Sequence, residues 1–245
     1  MEEERKLTKK EQKALRRLER EQKELIDSSN SPSKVKWFVI GFVALLFVGF
    51  FGYMVMLSKQ KKAENAEKAL SQLTENGTVR GNKNAKVTLV EFGDIQCPSC
   101  QAAHPIVKDA LADMKDVKLV FKHFPLVSIH PHAMTAAKAA EAAGKQGKFW
   151  QMTDLLYEKQ GEWASVANVQ PLFEGYAESI GLNVAQFKKD MKDPAIAKKI
   201  ESERDEGISI GVPGTPTFYV NGVEIDNPGS TAELKAILES ELKKR

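Results

Sequence analysis

The 245-residue sequence contains only two cysteines, so it can close at most one disulfide bond. This excludes a miniprotein held together by several disulfides. Aromatic residues make up only 8% of the chain, but hydrophobic residues reach 42%, which is enough for a core and excludes a wholly disordered protein. The formal net charge of +3 is small for this length and does not favour a nucleic-acid-binding protein.

The small net charge conceals an uneven distribution of charge along the chain. Residues 1–62 contain 14 basic and 8 acidic side chains, which gives a net charge of +6. Residues 63–245 contain 22 basic and 25 acidic side chains, which gives a net charge of −3. The sequence therefore has two differently charged parts, and the boundary between them needs an explanation.

A long hydrophobic run separates the two parts. Residues 37–57 carry no charge, and a helix of 21 residues is about 30 Å long, which matches the hydrocarbon thickness of a bilayer. Trp37 and Tyr53 lie near its ends, where aromatic side chains favour the membrane interface. A cleaved signal peptide is the main alternative, but its apolar region is usually shorter and an A-x-A-like cleavage site should follow. We expect a single uncleaved transmembrane helix, which acts as a signal anchor.

The segments around the hydrophobic run have distinct compositions. Residues 1–36 form a charged tail whose first part has a helical pattern. A short coiled coil is conceivable there, but Glu11 and Glu21 occupy core positions of the repeat, which favours a solvated helix. Residues 58–77 are interpreted as a stalk, and residues 78–245 have the length of one globular domain. The basic residues of the tail place the N-terminus inside by the positive-inside rule, although the immediate flanks are nearly balanced.

The globular part shows a clear order of strands and helices. Hydrophobic periodicity and turn residues predict a strand, a helix and a second strand, then a helical block over about residues 128–210, and finally a hairpin and a helix. The predicted strands are 87–92, 117–124, 217–220 and 223–225, and the predicted helices include 98–114, 133–143, 147–158, 173–180, 195–208 and 232–242.

The two cysteines lie together in Cys97-Pro98-Ser99-Cys100, directly after the first strand and at the start of a helix. A helix N-terminus carries partial positive charge and free N–H groups that stabilise a thiolate. Cys97 is therefore predicted to be the nucleophile, and Cys100, one turn later, the thiol that resolves a mixed disulfide. A zinc site that includes His104, a purely structural disulfide and a pair of inert buried thiols are the alternatives.

Two further features agree with a redox pair. A cis bond between Thr215 and Pro216 would place the Thr215 backbone beside the cysteines and leave it free to pair with an extended substrate, whereas the alternative is an ordinary turn proline. Glu91 precedes Cys97 by six residues on the first strand. If it is buried, its pKa is raised and its carboxylate can accept the proton of Cys100; the alternative is an exposed acid at the end of a strand.

The sequence resembles the DsbA-like family of thiol–disulfide oxidoreductases. The similar stretches, which lie between about residues 80 and 242, are EFGDIQCPSC, KLVFKHFPL, an Ala-rich helix with GKFWQM, and GVPGTPTFYVNG. The resemblance implies an α/β thioredoxin-like fold with an inserted helical subdomain, preceded here by the transmembrane helix. It also implies a redox-active disulfide between Cys97 and Cys100, a cis-proline loop at Pro216, and catalytic roles for Thr215 and Glu91.

The sequence departs from the best-known pattern of that family at Ser99, where histidine is expected. A histidine can be cationic and stabilise a thiolate by its charge, whereas serine can only donate a hydrogen bond. We therefore expect the pKa of Cys97 to be lowered less than in family members that have histidine at this position. We also expect this protein to be a weaker oxidant than those members. Pro98, Ser99 and His104 are predicted to modulate the site, and packing in the core is the alternative for His104.

These features predict a membrane-anchored, bacterial thiol–disulfide oxidoreductase that forms or exchanges disulfides in extracytoplasmic proteins. We expect no metal and no cofactor, and we interpret His130 and His132 as loop and cap residues. Because disulfide formation belongs outside the cytosol, the tail over 1–36 is expected to be cytoplasmic and the catalytic domain extracytoplasmic.

The expected partners follow from this function. They are reduced or unfolded extracytoplasmic proteins as substrates, a membrane redox partner that reoxidises the cysteine pair, and the lipid bilayer through residues 37–57, with no nucleic acid. Two alternatives remain. One is a reductase or isomerase that a partner keeps reduced, and the other is a thioredoxin-fold chaperone without redox turnover.

Overall fold

The structure is a computed structural model that describes residues 9–30 and 73–244 and, between them, residues 40, 42, 45–47, 49–54, 56–57, 60 and 71. The chain divides into two compact units, Met1–Lys61 and Lys62–Arg245.

The first unit contains helix α1, Lys9–Asn30, whose described side chains are all exposed. The described residues between 40 and 57 are also helical and exposed, and most of them are apolar. Across the part of the chain that the structure describes, no helix combines the length and the apolar character needed to cross a bilayer. Several residues of the predicted span, 37–57, and most of the predicted stalk, 58–77, lie outside the described residues.

The second unit is built on a five-stranded mixed sheet with the strand order β1-β3-β2-β4-β5. Its strands are β1 Thr78–Gly81, β2 Val87–Gly93, β3 Val117–His123, β4 Thr217–Val220 and β5 Val223–Ile225. The central strand β2 runs parallel to β3 and antiparallel to β4, while β1 and β5 pair antiparallel with β3 and β4 at the two edges. A parallel pair needs a crossover connection, and a helix provides it here.

That crossover is α2, Pro98–Leu111, and it carries both cysteines at its beginning. Six helices then lie between β3 and β4, and a final helix follows the β4–β5 hairpin. They are α3 Ala133–Gly144, α4 Phe149–Glu158, α5 Gln160–Trp163, α6 Gln170–Ser179, α7 Val184–Asp190, α8 Pro194–Ser209 and α9 Thr231–Leu242.

Local sequence signals explain where several helices begin. The side chain of Asp193 caps α8 by accepting a hydrogen bond from the Ala195 amide, with Pro194 as the first helical residue. The side chain of Ser230 caps α9 by accepting from the Glu233 amide at 3.2 Å.

The core lies on both faces of the sheet, because every residue of β2 is buried. Val87 and Leu89 pack on one face against apolar residues of α2 and α9, and Val90 and Phe92 pack on the other. A third cluster fills the helical segment around the alanines of α3. Since strand side chains alternate, Glu91 shares the face of Leu89 and points towards α2.

The elements differ from the sequence-based expectations in a few places. Helix α2 ends at Leu111, three residues earlier than predicted. The edge strand β1 was not predicted, and the short helices α5 and α7 were predicted only as part of the helical block over about residues 128–210. Each of these elements has between four and seven residues, which is too short to show a clear hydrophobic period.

Gly207 of α8 provides a test of the packing between α8 and the sheet. A Cβ atom at this buried glycine would lie 2.7 Å from two ring carbons of Phe124 and 3.1 Å from the Phe92 ring. We expect Gly207→Ala to lower the free energy of unfolding by about 1–3 kcal/mol, because neither ring can move freely. Denaturation with urea measures the change.

Gly175→Ala is the matched control, since no described atom apart from its two chain neighbours and the backbone of its own helix lies within 4 Å of a Cβ at this position of α6. Alanine is the better helix former, so this variant is expected to gain up to about 1 kcal/mol. Equal stability of the two variants would contradict the close packing at Gly207.

Candidate active site

Cys97 is the N-cap residue of α2, with an extended backbone, and Pro98 is the first helical residue. The Cys97 amide donates to the Asp94 carbonyl at 3.0 Å, and the Cys97 carbonyl accepts from the Gln101 amide at 3.0 Å, which starts the helix at the cysteine. Cys97 is 6% exposed, whereas Cys100 is completely buried. Both are free thiols in this structure. The position of Cys97 at the helix terminus and the shielding of Cys100 agree with the sequence-based expectation.

The surroundings of Cys97 favour its thiolate. Its pKa is lowered to about 5, chiefly by a hydrogen bond from the Cys100 thiol, with burial acting in the opposite direction. The Thr215 side chain and the backbone N–H groups of Cys100 and Ser99 add to the lowering. Ser99 is exposed and contributes through its backbone N–H at the helix terminus, not through a charged side chain.

A titration of the Cys97 thiolate by its ultraviolet absorbance tests this arrangement. We expect a midpoint near pH 5 in the reduced protein and no transition there in Cys97→Ser. A midpoint near 9, the ordinary value, would contradict the stabilisation of the thiolate. A midpoint near 3.5, which is about the pKa of the DsbA nucleophile, would contradict the expectation that Ser99 leaves the pKa less depressed.

Cys100 has the opposite character. Its pKa is raised well above the ordinary value, first by burial, then by its hydrogen bond to Cys97 and by the negative charge of Glu91. One group acts in the other direction, namely the backbone N–H of Asp94, which donates to Sγ at 3.5 Å. The pair therefore consists of one thiol that ionises readily and one that holds its proton, as a nucleophile and a resolving thiol require.

Glu91 is buried, which decides between the two interpretations of this residue. It is 2% exposed, and burial raises its pKa to about 8, while the charge of Arg80 opposes the shift. Its Oε1 atom has no hydrogen-bond partner among the described residues. A carboxyl with an unpartnered oxygen therefore lies on the face of β2 that meets α2, and when it is ionised its negative charge raises the pKa of Cys100. Its catalytic role stays a prediction.

The proline loop closes the site from the other side. The bond between Thr215 and Pro216 is cis, and the Thr215 carbonyl lies 3.4 Å from Sγ of Cys97. The Thr215 hydroxyl is buried and makes no hydrogen bond to the described residues, so it is available to donate to the thiolate. A groove of about 330 Å³, lined by residues 213–217 and 224–227, opens beside this loop. Thr215, which contacts Cys97, lines this groove.

His104 touches the site indirectly. Its Nε2 atom lies 3.0 Å from Oδ1 of Asp154, a carboxylate that also pairs with Arg80 and Lys108. The ring packs on Tyr157 with 4.6 Å between ring centroids. Burial would raise the pKa of Asp154, but its hydrogen bonds with His104, Lys108 and Arg80 and the charge of Arg80 outweigh burial and hold that pKa far below the ordinary value. The contacts of His104 thus agree with the packing alternative.

Sequence reasoning missed the residues that hold the cysteine loop from the helical segment. Gln160 of α5 donates to the carbonyls of Ile95 at 2.9 Å and Cys97 at 3.2 Å. The Tyr157 hydroxyl donates to the Asp94 carbonyl at 3.5 Å. Gln160 lies 63 residues from Cys97 along the chain, so no local pattern reveals it. Asp94 does carry a local signal, since an aspartate before a turn often caps the amide two residues later.

The two histidines of the segment 130–132 make separate contacts. Nδ1 of His130 lies 2.7 Å from Oδ2 of Asp94. His132 is the N-cap residue of α3, and its Nε2 lies 2.7 Å from the Val166 carbonyl. Among the residues that the structure describes, no group of three His, Cys, Asp or Glu side chains is arranged to hold a metal ion.

Two oxidoreductases of known structure are similar to this chain in sequence and in fold. BdbD from Bacillus subtilis, in its oxidised form, is 30% identical and superposes over 69% of this chain and 94% of its own chain with a TM-score of 0.61. A thioredoxin-like oxidoreductase from Silicibacter pomeroyi DSS-3 is 27% identical and superposes over 70% of this chain and 96% of its own chain with a TM-score of 0.58.

A curated relative is similar to this chain over only part of its own length. The Na⁺/H⁺ antiporter NhaA 1 of Salinispora arenicola (strain CNS-205) is 44% identical over 144 residues, which are 59% of this chain and 21% of the antiporter. The chain therefore spans about a fifth of the length of this relative.

A protein-family model covers most of the second unit. The model is described as Thioredoxin, and it matches residues 73–240, which include the five strands, the cysteine pair and the proline loop. The thioredoxin-like α/β fold that the sequence implied is thereby confirmed. Because the match extends over more than two thirds of the 245 residues, the chain belongs to the thioredoxin family.

Proposed function

We propose that this protein is a membrane-anchored thiol–disulfide oxidoreductase that introduces disulfide bonds into extracytoplasmic proteins. The observation that carries this proposal is the contrast within the pair, with the pKa of Cys97 lowered to about 5 and that of Cys100 raised. Stabilising the Cys97 thiolate favours the reduced pair, and a favoured reduced form makes the Cys97–Cys100 disulfide oxidising. The similarity to BdbD and to a thioredoxin-like oxidoreductase supports the same class of reaction.

The reaction begins with the pair oxidised. A substrate thiolate attacks Sγ of Cys97, the bond between the two protein sulfurs breaks, and Cys100 leaves as a thiolate. A second substrate thiolate then attacks the substrate sulfur of the mixed disulfide, and Cys97 leaves as its stabilised thiolate. The substrate has gained one disulfide and lost two electrons, which the protein now holds as two reduced cysteines.

Glu91 supplies the proton that these reaction steps require. The leaving Cys100 thiolate is buried, and its high pKa makes it a strong base. A carboxyl whose pKa is raised to about 8 is protonated at neutral pH and can give its proton to that sulfur. In the reverse direction the carboxylate takes the proton back.

The membrane partners belong to the same proposal. The described residues between 40 and 57 are helical, and their large apolar side chains are exposed, which suits an anchor in a bilayer. Because disulfide formation requires an oxidising compartment, the catalytic domain faces outward and the tail of residues 1–36 faces the cytoplasm. Reduced extracytoplasmic proteins are the substrates, and a membrane redox partner reoxidises the pair after each turnover.

The redox state of the pair in cells tests the direction of the reaction. Cells that express the full chain are quenched with acid, and free thiols are alkylated with a reagent large enough to shift the mobility of the protein. We expect the pair to be oxidised and therefore unmodified. A pair that is mostly reduced would overturn the oxidase direction and support a reductase or isomerase. Digestion of the catalytic domain by a protease added outside spheroplasts tests the orientation.

A further inference from the structure

Asp94 connects the two cysteines with the loop that leads into the helical segment. Its backbone N–H donates to Sγ of Cys100 at 3.5 Å, and its carbonyl accepts from the Cys97 amide at 3.0 Å. Its buried carboxylate accepts from the amide of Gln96 at 2.8 Å through Oδ1 and from the amide of Leu126 at 2.9 Å through Oδ2. One residue thus contacts both partners of the redox pair and two separate loops.

His130 completes the set of contacts. Its Nδ1 lies 2.7 Å from Oδ2 of Asp94, and its side chain is 16% exposed while that of Asp94 is fully buried. Both carboxylate oxygens already accept hydrogen bonds from backbone amides, so Nδ1 is the donor in this contact. The ring therefore ties the loop after β3 to the loop before α2.

We propose that His130 and Asp94 are positioning residues for the leaving thiolate of Cys100. The inference rests on the proposed function, because it concerns the step in which the Cys97–Cys100 bond breaks. His130 and the Leu126 amide fix the Asp94 carboxylate, the carboxylate fixes the turn over residues 94–96, and the turn aims the Asp94 N–H at Sγ of Cys100.

The chemistry of that step explains why an aimed N–H matters. When a thiolate attacks Cys97, negative charge develops on Cys100, which is buried and surrounded mostly by groups that disfavour its ionisation. A hydrogen-bond donor that is already in place stabilises this charge without rearrangement. The groups that stabilise Cys97 are different ones, namely Cys100, Thr215 and the first amides of α2. The Asp94 N–H therefore acts directly on Sγ of Cys100 and not on Sγ of Cys97.

The test compares His130→Ala with His130→Asn in the otherwise intact protein. The asparagine amide can donate from nearly the position of Nδ1, whereas alanine cannot donate. The oxidised variants are mixed with dithiothreitol, and the reduction of the Cys97–Cys100 bond is followed by stopped-flow fluorescence. We expect His130→Ala to react about tenfold more slowly, which is the scale of one charge-assisted hydrogen bond, and His130→Asn to recover most of the wild-type rate.

His132→Ala is the matched control, since this nearby ring contacts the Val166 carbonyl, whereas the His130 ring contacts Asp94. We expect it to react at the wild-type rate, and we expect the pKa of Cys97 to be the same in all three variants. An unchanged rate in His130→Ala, an equal loss in His132→Ala, or no recovery in His130→Asn would overturn the inference.

The choice of dithiothreitol separates this inference from the proposed function. The small thiol reports on the bond between the cysteines without any biological substrate. A wild-type protein that exchanges with dithiothreitol but oxidises no reduced protein substrate would overturn the proposed function, while the rates of the His130 variants would still decide the positioning role.

Discussion

Replacing Cys97 with serine is expected to reduce thiol–disulfide exchange to the uncatalysed rate. A hydroxyl does not form a disulfide and is a poor nucleophile at neutral pH, whereas the pKa of Cys97 is lowered to about 5, so that its thiolate predominates. Cys100 cannot take over, because it is completely buried and its pKa is raised well above the ordinary value. Oxidative refolding of a reduced ribonuclease and reduction of insulin measure the two directions.

Cys100→Ala is the matched variant, because it keeps the nucleophile and removes the thiol that releases it. The Cys97 thiolate still attacks a substrate disulfide, but the resulting mixed disulfide has no internal thiol to resolve it. We expect covalent adducts that persist on non-reducing electrophoresis and disappear after reduction. The double variant Cys97→Ser/Cys100→Ala is expected to form none.

The same pair of variants distinguishes an enzyme from a chaperone. A chaperone of this fold would bind unfolded chains in the groove beside Pro216 without using its thiols. Cys97→Ser would then suppress the aggregation of unfolded proteins as well as the wild type does, and Cys100→Ala would trap nothing. That combination of results would contradict the redox function.

Those features of the site that involve residues close together along the chain were predictable from the sequence. Pro98 suits the first position of a helix, so a helix beginning at Cys97 follows from the tetrapeptide, and the structure has it. The proline loop was also predictable in outline, and the cis bond before Pro216 and the contact between Thr215 and Cys97 agree with that expectation.

The burial of Glu91 could not be derived from the alternation of strand residues. Alternation assigns Glu91 to one face of β2, but it does not say whether that face is covered. The sheet order settles the question, because β2 is the central strand with β3 and β4 on either side and α2 across its face. That order depends on pairing with β4, which lies more than 120 residues further along the chain.

The partners of the cysteine loop were unpredictable for a related reason. Gln160 and Tyr157 lie in the middle of a helical segment where polar residues usually face solvent. Their hydrogen bonds to the carbonyls of Cys97 and Asp94 arise only when that segment packs against the sheet. Sequence patterns predict which elements form, whereas side-chain contacts between distant elements require the fold.

Glu91→Gln is expected to make the reduced protein more stable at alkaline pH. The pKa of Glu91 is raised from 4.5 to about 8 by burial, so the folded protein holds a proton that the unfolded chain releases above pH 4.5. Stability therefore falls as the pH rises through this window, and the loss is complete only above pH 8. Glutamine does not titrate, so the variant avoids a cost of about 4 kcal/mol at pH 8.

The measurement is the free energy of unfolding of both proteins in urea at several pH values between 4.5 and 8.5. Cys97 contributes a change of opposite sign, because its lowered pKa adds stability that is present above the ordinary pKa of 9 and is lost as the pH falls towards 5. This contribution is common to both proteins and cancels in their difference. Glu201→Gln removes an exposed carboxylate of α8 and is the matched control for the loss of one acidic side chain from the second unit.

The same substitution is expected to slow the exchange reaction by about 10- to 100-fold, because a buried Cys100 thiolate then leaves without a proton donor. Stability and rate thus change in opposite directions, which is typical of a titrating group retained for the reaction at the expense of the fold. If the carboxylate served only the structure, its replacement would make the protein less stable. If the Glu91→Gln variant is less stable than the wild type at pH 8, or if it exchanges at the full rate, the role of Glu91 in the proton transfer is contradicted.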